Sequence, residues 1–261
     1  MSARYTPPAM TSDHVSRGEP PVPITTQPSR AVSPDAASIE AFHHAARMTG
    51  LVGLTFAILF AISILAFAQA PHMDATDAAV QAYYEDGRHQ IVRIGGLYLL
   101  PLAAIAFLWF VASLHSWVEL SGHPIDRLMS TVQMLGGVSF VTLALAAAAA
   151  ATVASLSGEP YAVSPDLARQ FPLFGRTLIV VFGMRMAALF VMSTAKLGQG
   201  SGLLPSWFQW LSIAVALALF ASATLNVWLT LIFPLWVALL CGMVWLRRSL
   251  HPAQPEETLA S

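Results

Sequence analysis

Residues 50–70 read GLVGLTFAILFAISILAFAQA, and this stretch decides the fold class. It contains no charged side chain. About 20 apolar residues in a helix suffice to cross a hydrocarbon layer ~30 Å thick. The stretch is therefore predicted to be the first of several transmembrane helices in an all-α membrane protein.

Composition agrees with this prediction. Of 261 residues, 56% are hydrophobic and 10% are charged, whereas soluble domains usually carry about 25% charged residues. Apart from Arg185, the charges lie in tails and loops between apolar runs. The net charge is −1 and no basic block is present, so no nucleic-acid partner is expected. The single cysteine, Cys241, excludes an intrachain disulfide and a thiolate metal cluster.

Six apolar runs predict a bundle of about six transmembrane helices. They cover residues 50–70, 94–114, 129–156, 177–195, 207–225 and 227–246. The first run ends in Ala68-Gln69-Ala70, a pattern typical of a signal-peptidase site. Its apolar core exceeds the usual length of about 7–15 residues, and its leader is long and not basic. Retention as a true span is favoured, and cleavage after Ala70 is left open.

The segments outside the runs are polar. Residues 1–46, rich in Pro, Ser, Thr and Ala, are predicted to be a disordered tail with a helical lead-in near Ser38. Residues 47–248 form the transmembrane domain, and residues 249–261 a second tail. Between spans, residues 157–176 are predicted to be a loop and residues 196–202 a flexible connector.

Two local patterns add detail. In the acidic segment 71–93, Asp74 is predicted to cap a helix that is interrupted at residues 85–87, Glu-Asp-Gly. In the third run, small residues share one helix face, which predicts close approach of another helix. This stripe consists of Gly137, Ala144, Ala148 and Ala151.

The distribution of Lys and Arg predicts the orientation. With the N-terminus inside, eight basic residues are cytoplasmic, namely Arg4, Arg17, Arg30, Arg47, Arg127, Lys196, Arg247 and Arg248. Four are external, namely Arg88, Arg93, Arg169 and Arg176. The positive-inside rule favours this arrangement. Both termini are thus predicted to be cytoplasmic, and the location a bacterial cytoplasmic membrane.

Several stretches resemble a group of uncharacterised bacterial multi-pass membrane proteins. They are residues 98–101 (YLLP), 106–110 (AFLWF), 174–176 (FGR), 185–190 (RMAALF), 193–194 (ST) and 204–207 (LPSW). The resemblance covers roughly residues 50–248 and implies a bundle of about six spans. In that group the loop after the second span is more highly charged than residues 115–128, so no role is implied for this loop. The group has no assigned activity, and the resemblance implies no chemistry.

Arg185 lies near the middle of the fourth run, where a charge facing lipid is costly. We therefore expect it to face the interior of the bundle. Gly183 and Ala187, on the opposite side, predict close packing there too, so the fourth span is expected to be surrounded by helices. Since no apolar run contains Asp or Glu, Arg185 has no buried counter-ion.

Arg185, Pro101 and Pro234 form a candidate polar centre. The two prolines leave the carbonyls of Leu97 and Thr230 without a backbone donor. A rise of about 1.5 Å per residue places the three residues at a similar depth, roughly 10–12 Å below the external boundary. Either Arg185 joins helices through these carbonyls, which is favoured, or it forms an anion site that opens outward.

Metal and catalytic sites are not predicted. The acidic segment contains His72, Asp74, Asp77, Glu85, Asp86 and His89. Their spacing matches no defined metal loop, so a solvated acidic face is favoured over a divalent-ion site. The glycines at positions 198, 200 and 202 do not follow a strand, and nothing resembles a nucleophile elbow. No cofactor and no catalytic residue are predicted.

Two hypotheses on function follow. The first is a structural, sensory or partner-binding role in the lipid bilayer, with another protein or a second copy of the chain as partner. The alternative is transport or binding of a small solute or anion through Arg185. An enzyme is disfavoured, because no residue supports one.

Overall fold

The structure, a computed structural model, describes residues 36–71, 75–120, 126–156, 165–200, 202–221 and 227–250. Within them all regular structure is helical, which confirms the predicted class. The α-helices are α1 Ala36–Phe67, α2 Asp77–Glu85, α3 His89–Ile94, α4 Leu100–Glu119, α5 Arg127–Leu156, α6 Pro165–Thr177, α7 Met184–Gly200, α8 Ser206–Ala221, α9 Val227–Thr230 and α10 Ile232–Leu250. Two π-helical segments, Gly95–Leu99 and Leu178–Gly183, join α3 to α4 and α6 to α7.

Five helical stretches in the described residues are long and apolar enough to cross a membrane. They are Glu40–Phe67, His89–Glu119, Arg127–Val153, Gln170–Gly200 and Trp228–Leu246. The predicted run 207–225 corresponds to α8, which has 16 residues in the described part of the chain, while residues 222–225 of the run lie outside it. The described residues are thus all-helical where they are regular, with five candidate membrane spans and one shorter apolar helix, as a membrane protein would have.

Helix α1 begins at Ala36, ten residues before the predicted end of the N-terminal tail. The second turn of this helix packs against α4. The ring of Phe42 lies 6.0 Å from that of Trp117, and Ala46 is buried. The remaining predicted tail residues, 1–35 and 251–261, lie outside the described part of the chain.

The segment predicted as loop 157–176 is helical from residue 165 onward, which corrects that prediction. Pro165 and Asp166 stand in the first turn of α6, where a fixed φ and a negative charge favour a helix start. The predicted flexible connector also begins too early, because α7 continues to Gly200. Leu204 packs directly against Gly198, where any side chain would collide with it.

In the acidic segment the predicted interruption is confirmed. Helix α2 ends at Glu85, and Gly87 has a φ of +71°, which glycine adopts without strain. The helix begins at Asp77, where the hydroxyl of Thr76 accepts a hydrogen bond from the backbone N–H of Ala79 at 3.3 Å. The cap is therefore Thr76, and Asp74 lies outside the described residues.

Five helices meet at a cluster of seven buried phenylalanine rings, called here the phenylalanine cluster. Its members are Phe56 and Phe60 of α1, Phe107 and Phe110 of α4, Phe140 of α5, Phe190 of α7 and Phe233 of α10. Each is at most 1% exposed, and ring centroids of neighbours lie 4.6 to 6.5 Å apart. Tilted and edge-to-face aromatic pairs at these distances attract one another beyond the area that they bury.

Small residues bring the other helices close to α5. The predicted stripe from Gly137 to Ala151 is buried, as expected. Two glycines approach the same part of α5: a Cβ on Gly96 would lie 3.4 Å from the carbonyl oxygen of Ala148, and one on Gly175 would lie 2.6 Å from that of Ala147. Backbones can approach this closely because no side chain separates them.

Candidate functional site

Arg185 stands at the second position of α7, directly after the π-helical segment Leu178–Gly183. Its Nη1 donates a hydrogen bond to the carbonyl oxygen of Val181, one turn earlier, at 2.6 Å. The guanidinium carbon lies 5.9 Å from the centre of the Phe220 ring of α8. Within about 6 Å, an aromatic face attracts a cation. Helices α7 and α8 together hold this charge.

The side of α7 that carries Arg185 faces outward. Arg185 is half-buried, while its neighbours Phe182, Leu189 and Phe220 are 51%, 39% and 61% exposed. The expectation that Arg185 faces the interior is therefore corrected. The same span is nevertheless the most enclosed of the five, since 61% of its apolar window is buried against 44% in each of the others. Arg185 lies at the border between the buried side of this span and its exposed strip.

The two prolines of the candidate polar centre stand at helix irregularities. Pro101 follows the π-helical segment Gly95–Leu99, and the N–H of Leu100 bonds Gly95 five residues earlier. Before Pro234 the helix is interrupted at Leu231, whose N–H bonds the carbonyl of Trp228. Proline lacks the N–H that a regular helix requires, which accounts for both positions.

The structure does not join Arg185 to the carbonyls that these prolines release. In the described part of the chain, its side chain bonds Val181 of its own helical stretch rather than Leu97 or Thr230. The hydroxyl of Thr230 is fully buried and has no hydrogen-bond partner among the described residues. A centre formed by Arg185, Pro101 and Pro234 together stays a prediction.

Two further polar contacts, not predicted from the sequence, connect α5 to α7 and α5 to α4. Gln133 Nε2 donates to Thr194 Oγ1 at 2.8 Å, and both residues are buried. Ser130 Oγ lies 3.2 Å from His115 Nδ1, and His115 Nε2 lies 3.2 Å from Glu119 Oε1. Ser130 and Gln133, three residues apart in an apolar run, were the available signal, because such residues share a helix face.

An open cleft of about 630 Å³ lies between the end of α1 and α2. Its wall is formed by Ala68, Gln69, Ala70, Pro71, Ala75, Ala79, Ala82, Tyr83 and Arg88. The carboxylate of Asp86 holds Arg88 at 3.0 Å. Ala70, which precedes the open cleavage position, is 6% exposed and packs with Tyr83 and Val92.

The described residues contain no arrangement of side chains that could bind a metal ion. They hold no group of three or more His, Cys, Asp or Glu side chains that could surround an ion. Of the acidic-segment residues considered for this role, His72 and Asp74 lie outside the described residues.

Comparison of the chain with protein-family models, with curated proteins and with solved structures gave no match. The chemistry of the site must therefore be inferred from the chain itself. The arrangement offers one outward-facing cation in an apolar surface and one buried set of hydrogen bonds between helices. Neither supplies a nucleophile with an adjacent pocket in the described residues.

Proposed function

We propose that the chain is a six-span protein of the bacterial cytoplasmic membrane, with both termini cytoplasmic and a structural, sensory or partner-binding role. The observation that carries this proposal is the phenylalanine cluster. Five helices converge on fully buried rings, and a solute path between those helices would need polar groups or a gap at that place. A centre filled by aromatic rings suits a bundle that keeps one packed arrangement.

Helix α1 supports retention of the first span. It contributes Phe56 and Phe60 to the cluster, so its removal would leave a large void where five helices meet. Ala70 is packed rather than exposed in the folded chain. Both features favour a chain in which residues 50–70 remain part of the mature protein.

Helix α8 supports the sixth crossing. Its 16 residues cover about 24 Å at 1.5 Å per residue, somewhat less than a hydrocarbon layer of ~30 Å. It packs on α10, where Trp236 Nε1 donates to Ser212 Oγ at 2.9 Å inside the bundle. Reporter fusions after Ala70, His115, Leu156, Lys196 and Leu250 should read outside, inside, outside, inside and inside. An outside signal at Leu250 would show that α8 does not cross. An inside signal at Ala70 or Leu156 would refute this topology.

A second candidate function is binding or transport of an anion at Arg185. The half-buried guanidinium favours it, because its only hydrogen bond among the described residues is the one to the carbonyl of Val181. Transport also needs a route, and the packed centre offers none among the described residues. We therefore rank it second.

Reconstituted vesicles separate the two functions. Vesicles that contain the purified chain are loaded with radiolabelled phosphate, sulfate or amino acids, and efflux is compared with that of empty vesicles. We expect equal efflux, together with a protein partner or second copy retained in stoichiometric amount after gentle purification. Saturable efflux that requires Arg185 would overturn the proposed role and favour transport.

A further inference from the structure

We propose that Arg185 and the adjoining surface of α7 and α8 bind the phosphate of an anionic membrane lipid. This inference goes beyond the proposed function and does not depend on it. It starts from an arginine whose guanidinium has five N–H donors. Among the described residues, one hydrogen bond and one aromatic face accept it, Val181 O and Phe220.

Among the described residues, no carboxylate forms an ion pair with Arg185. Between Asp166 and Glu256 the sequence contains no Asp or Glu. No apolar run anywhere in the chain contains one, so the carboxylates of the chain are confined to the segments outside the spans. The headgroup layer of a membrane contains an anion of another kind, the phosphate of a lipid. Guanidinium groups bind phosphate oxygens through two parallel hydrogen bonds.

The direction of the side chain makes a lipid phosphate reachable. Because Nη1 of Arg185 bonds the carbonyl oxygen of Val181, its charged end lies closer to Thr177 than its own Cα does. Val181 is four residues from Thr177, where the apolar run begins, or about 6 Å along the helix. Long basic side chains in membranes reach toward the interface in this way, and the bilayer thins locally to meet them.

The surface on the other side of Arg185 suits acyl chains. Leu189 and Met192 of α7 and Leu217 of α8 are 39%, 47% and 59% exposed, and they continue away from the Thr177 end. A lipid with its phosphate at Arg185 would lay its chains along these residues. Inorganic phosphate would use the guanidinium alone and gain nothing from this apolar surface.

The test compares three additives on the delipidated, detergent-solubilised full chain. They are phosphatidylglycerol, phosphatidylcholine and inorganic phosphate, and the readouts are the shift in melting temperature and bound lipid counted by native mass spectrometry. We expect phosphatidylglycerol to raise the melting temperature and to bind. Arg185→Gln should weaken this binding roughly tenfold, since it removes a charged hydrogen-bond donor.

The control is Lys196→Gln, which removes one exposed positive charge from the other end of the same helix. It should leave phosphatidylglycerol binding unchanged. Equal binding by wild type and Arg185→Gln would overturn the proposal, as would equal losses in both variants. If inorganic phosphate raises the melting temperature as much as phosphatidylglycerol does, the ligand is a free anion and the lipid proposal is wrong. If phosphatidylcholine binds as well as phosphatidylglycerol, the site does not recognise net negative charge, which also contradicts the proposal.

If Arg185→Gln does not fold, an experiment on the wild-type chain still tests the lipid site. A photoreactive phosphatidylglycerol should label the exposed residues between positions 182 and 192 and at the end of α8. Labelling that avoids both α7 and α8 would contradict the site.

Discussion

The phenylalanine cluster and the outward strip around Arg185 lie on the same helix, yet they are stabilised differently. Phe190 of α7 is fully buried and meets rings from α4 and α10. Arg185, five residues earlier, is half-buried and bonds a carbonyl of its own helical stretch. In the cluster every group finds its partner within the chain, whereas the strip presents a charge whose complement lies elsewhere. Interaction with other molecules is therefore to be sought at the periphery of the bundle.

This difference follows from the solvent. Lipid tails are as apolar as the side chains that they surround, so helices associate in a membrane through close packing and hydrogen bonds rather than through burial alone. Interlocking rings provide such packing at the centre. A charged side chain does not provide such packing, and inside a membrane it is stable only where hydrogen-bond acceptors or an opposite charge surround it.

The largest effect is expected at the centre of the cluster. Phe107 contacts the rings of Phe56, Phe110, Phe140, Phe190 and Phe233. Phe107→Ala should lower the free energy of unfolding by about 3–5 kcal/mol, because it leaves a cavity among rings that cannot collapse together. The measurement is unfolding in mixed micelles. The control, Phe182→Ala on the exposed strip, should cost less than about 1 kcal/mol; equal losses would remove the distinction between centre and periphery.

A smaller loss is expected where α1 approaches the cluster. A Cβ on Gly53 would collide with Cys241 and would lie 2.6 Å from the ring of Phe110. Gly53→Ala should therefore cost about 1–3 kcal/mol through overpacking. Gly50, one turn earlier, has its nearest neighbour at 3.5 Å, so Gly50→Ala should be neutral or stabilising in the same unfolding assay. A tolerated Gly53→Ala would mean that α1 is more loosely held than the structure shows.

The hydrogen bond between Gln133 and Thr194 should contribute less than either packing contact. A double-mutant cycle with Gln133→Leu and Thr194→Val should give a coupling of about 0.6 kcal/mol, the average for interhelical hydrogen bonds in membranes. Thermal unfolding of the two single variants and the double variant measures it. Strict additivity of the single effects would show that the bond does not form.

The smallest effect is expected for Arg185→Ala without added lipid. Its free energy of unfolding should stay within about 0.5 kcal/mol of wild type, because the hydrogen bond of the arginine lies within its own helical stretch and the Phe220 ring stands at the limit of cation–π range. An arginine that joined helices through Leu97 and Thr230 would instead leave buried carbonyls unsatisfied, at a cost of about 1–3 kcal/mol. Thermal denaturation in lipid-free detergent distinguishes the two. A clear drop would restore the role as a link between helices.

The sequence predicts the positions of most helices in this chain well, but it does not predict which side of each helix is buried. Long apolar runs identify the candidate spans, and Glu85-Asp86-Gly87 correctly marks a break. Helix α6 was missed because its polar residues and Pro172 are typical of a loop. The phenylalanine cluster was missed for another reason. In a membrane helix, buried and lipid-facing positions are both apolar, so periodicity does not separate them.

The outward position of Arg185 was missed because the preceding turn is irregular. Near Pro101 the sequence gives a signal, since proline cannot complete the regular hydrogen-bond pattern. The segment Leu178–Gly183 contains no proline, and its widened turn changes the phase of the helix without an evident residue code. The small residues Gly183 and Ala187 correctly indicate a buried side, but not that Arg185 lies at its edge.

That widened turn has a consequence for how relatives of this chain should be aligned. A π-helical turn corresponds to one residue inserted into an α-helix, and removing it would rotate everything beyond it by about 100°. A relative with a single-residue gap within positions 178–183 would thus keep an arginine at the aligned position yet turn it toward another part of the bundle. Insertions and deletions in these six positions therefore predict the environment of the charge better than identity at position 185 does.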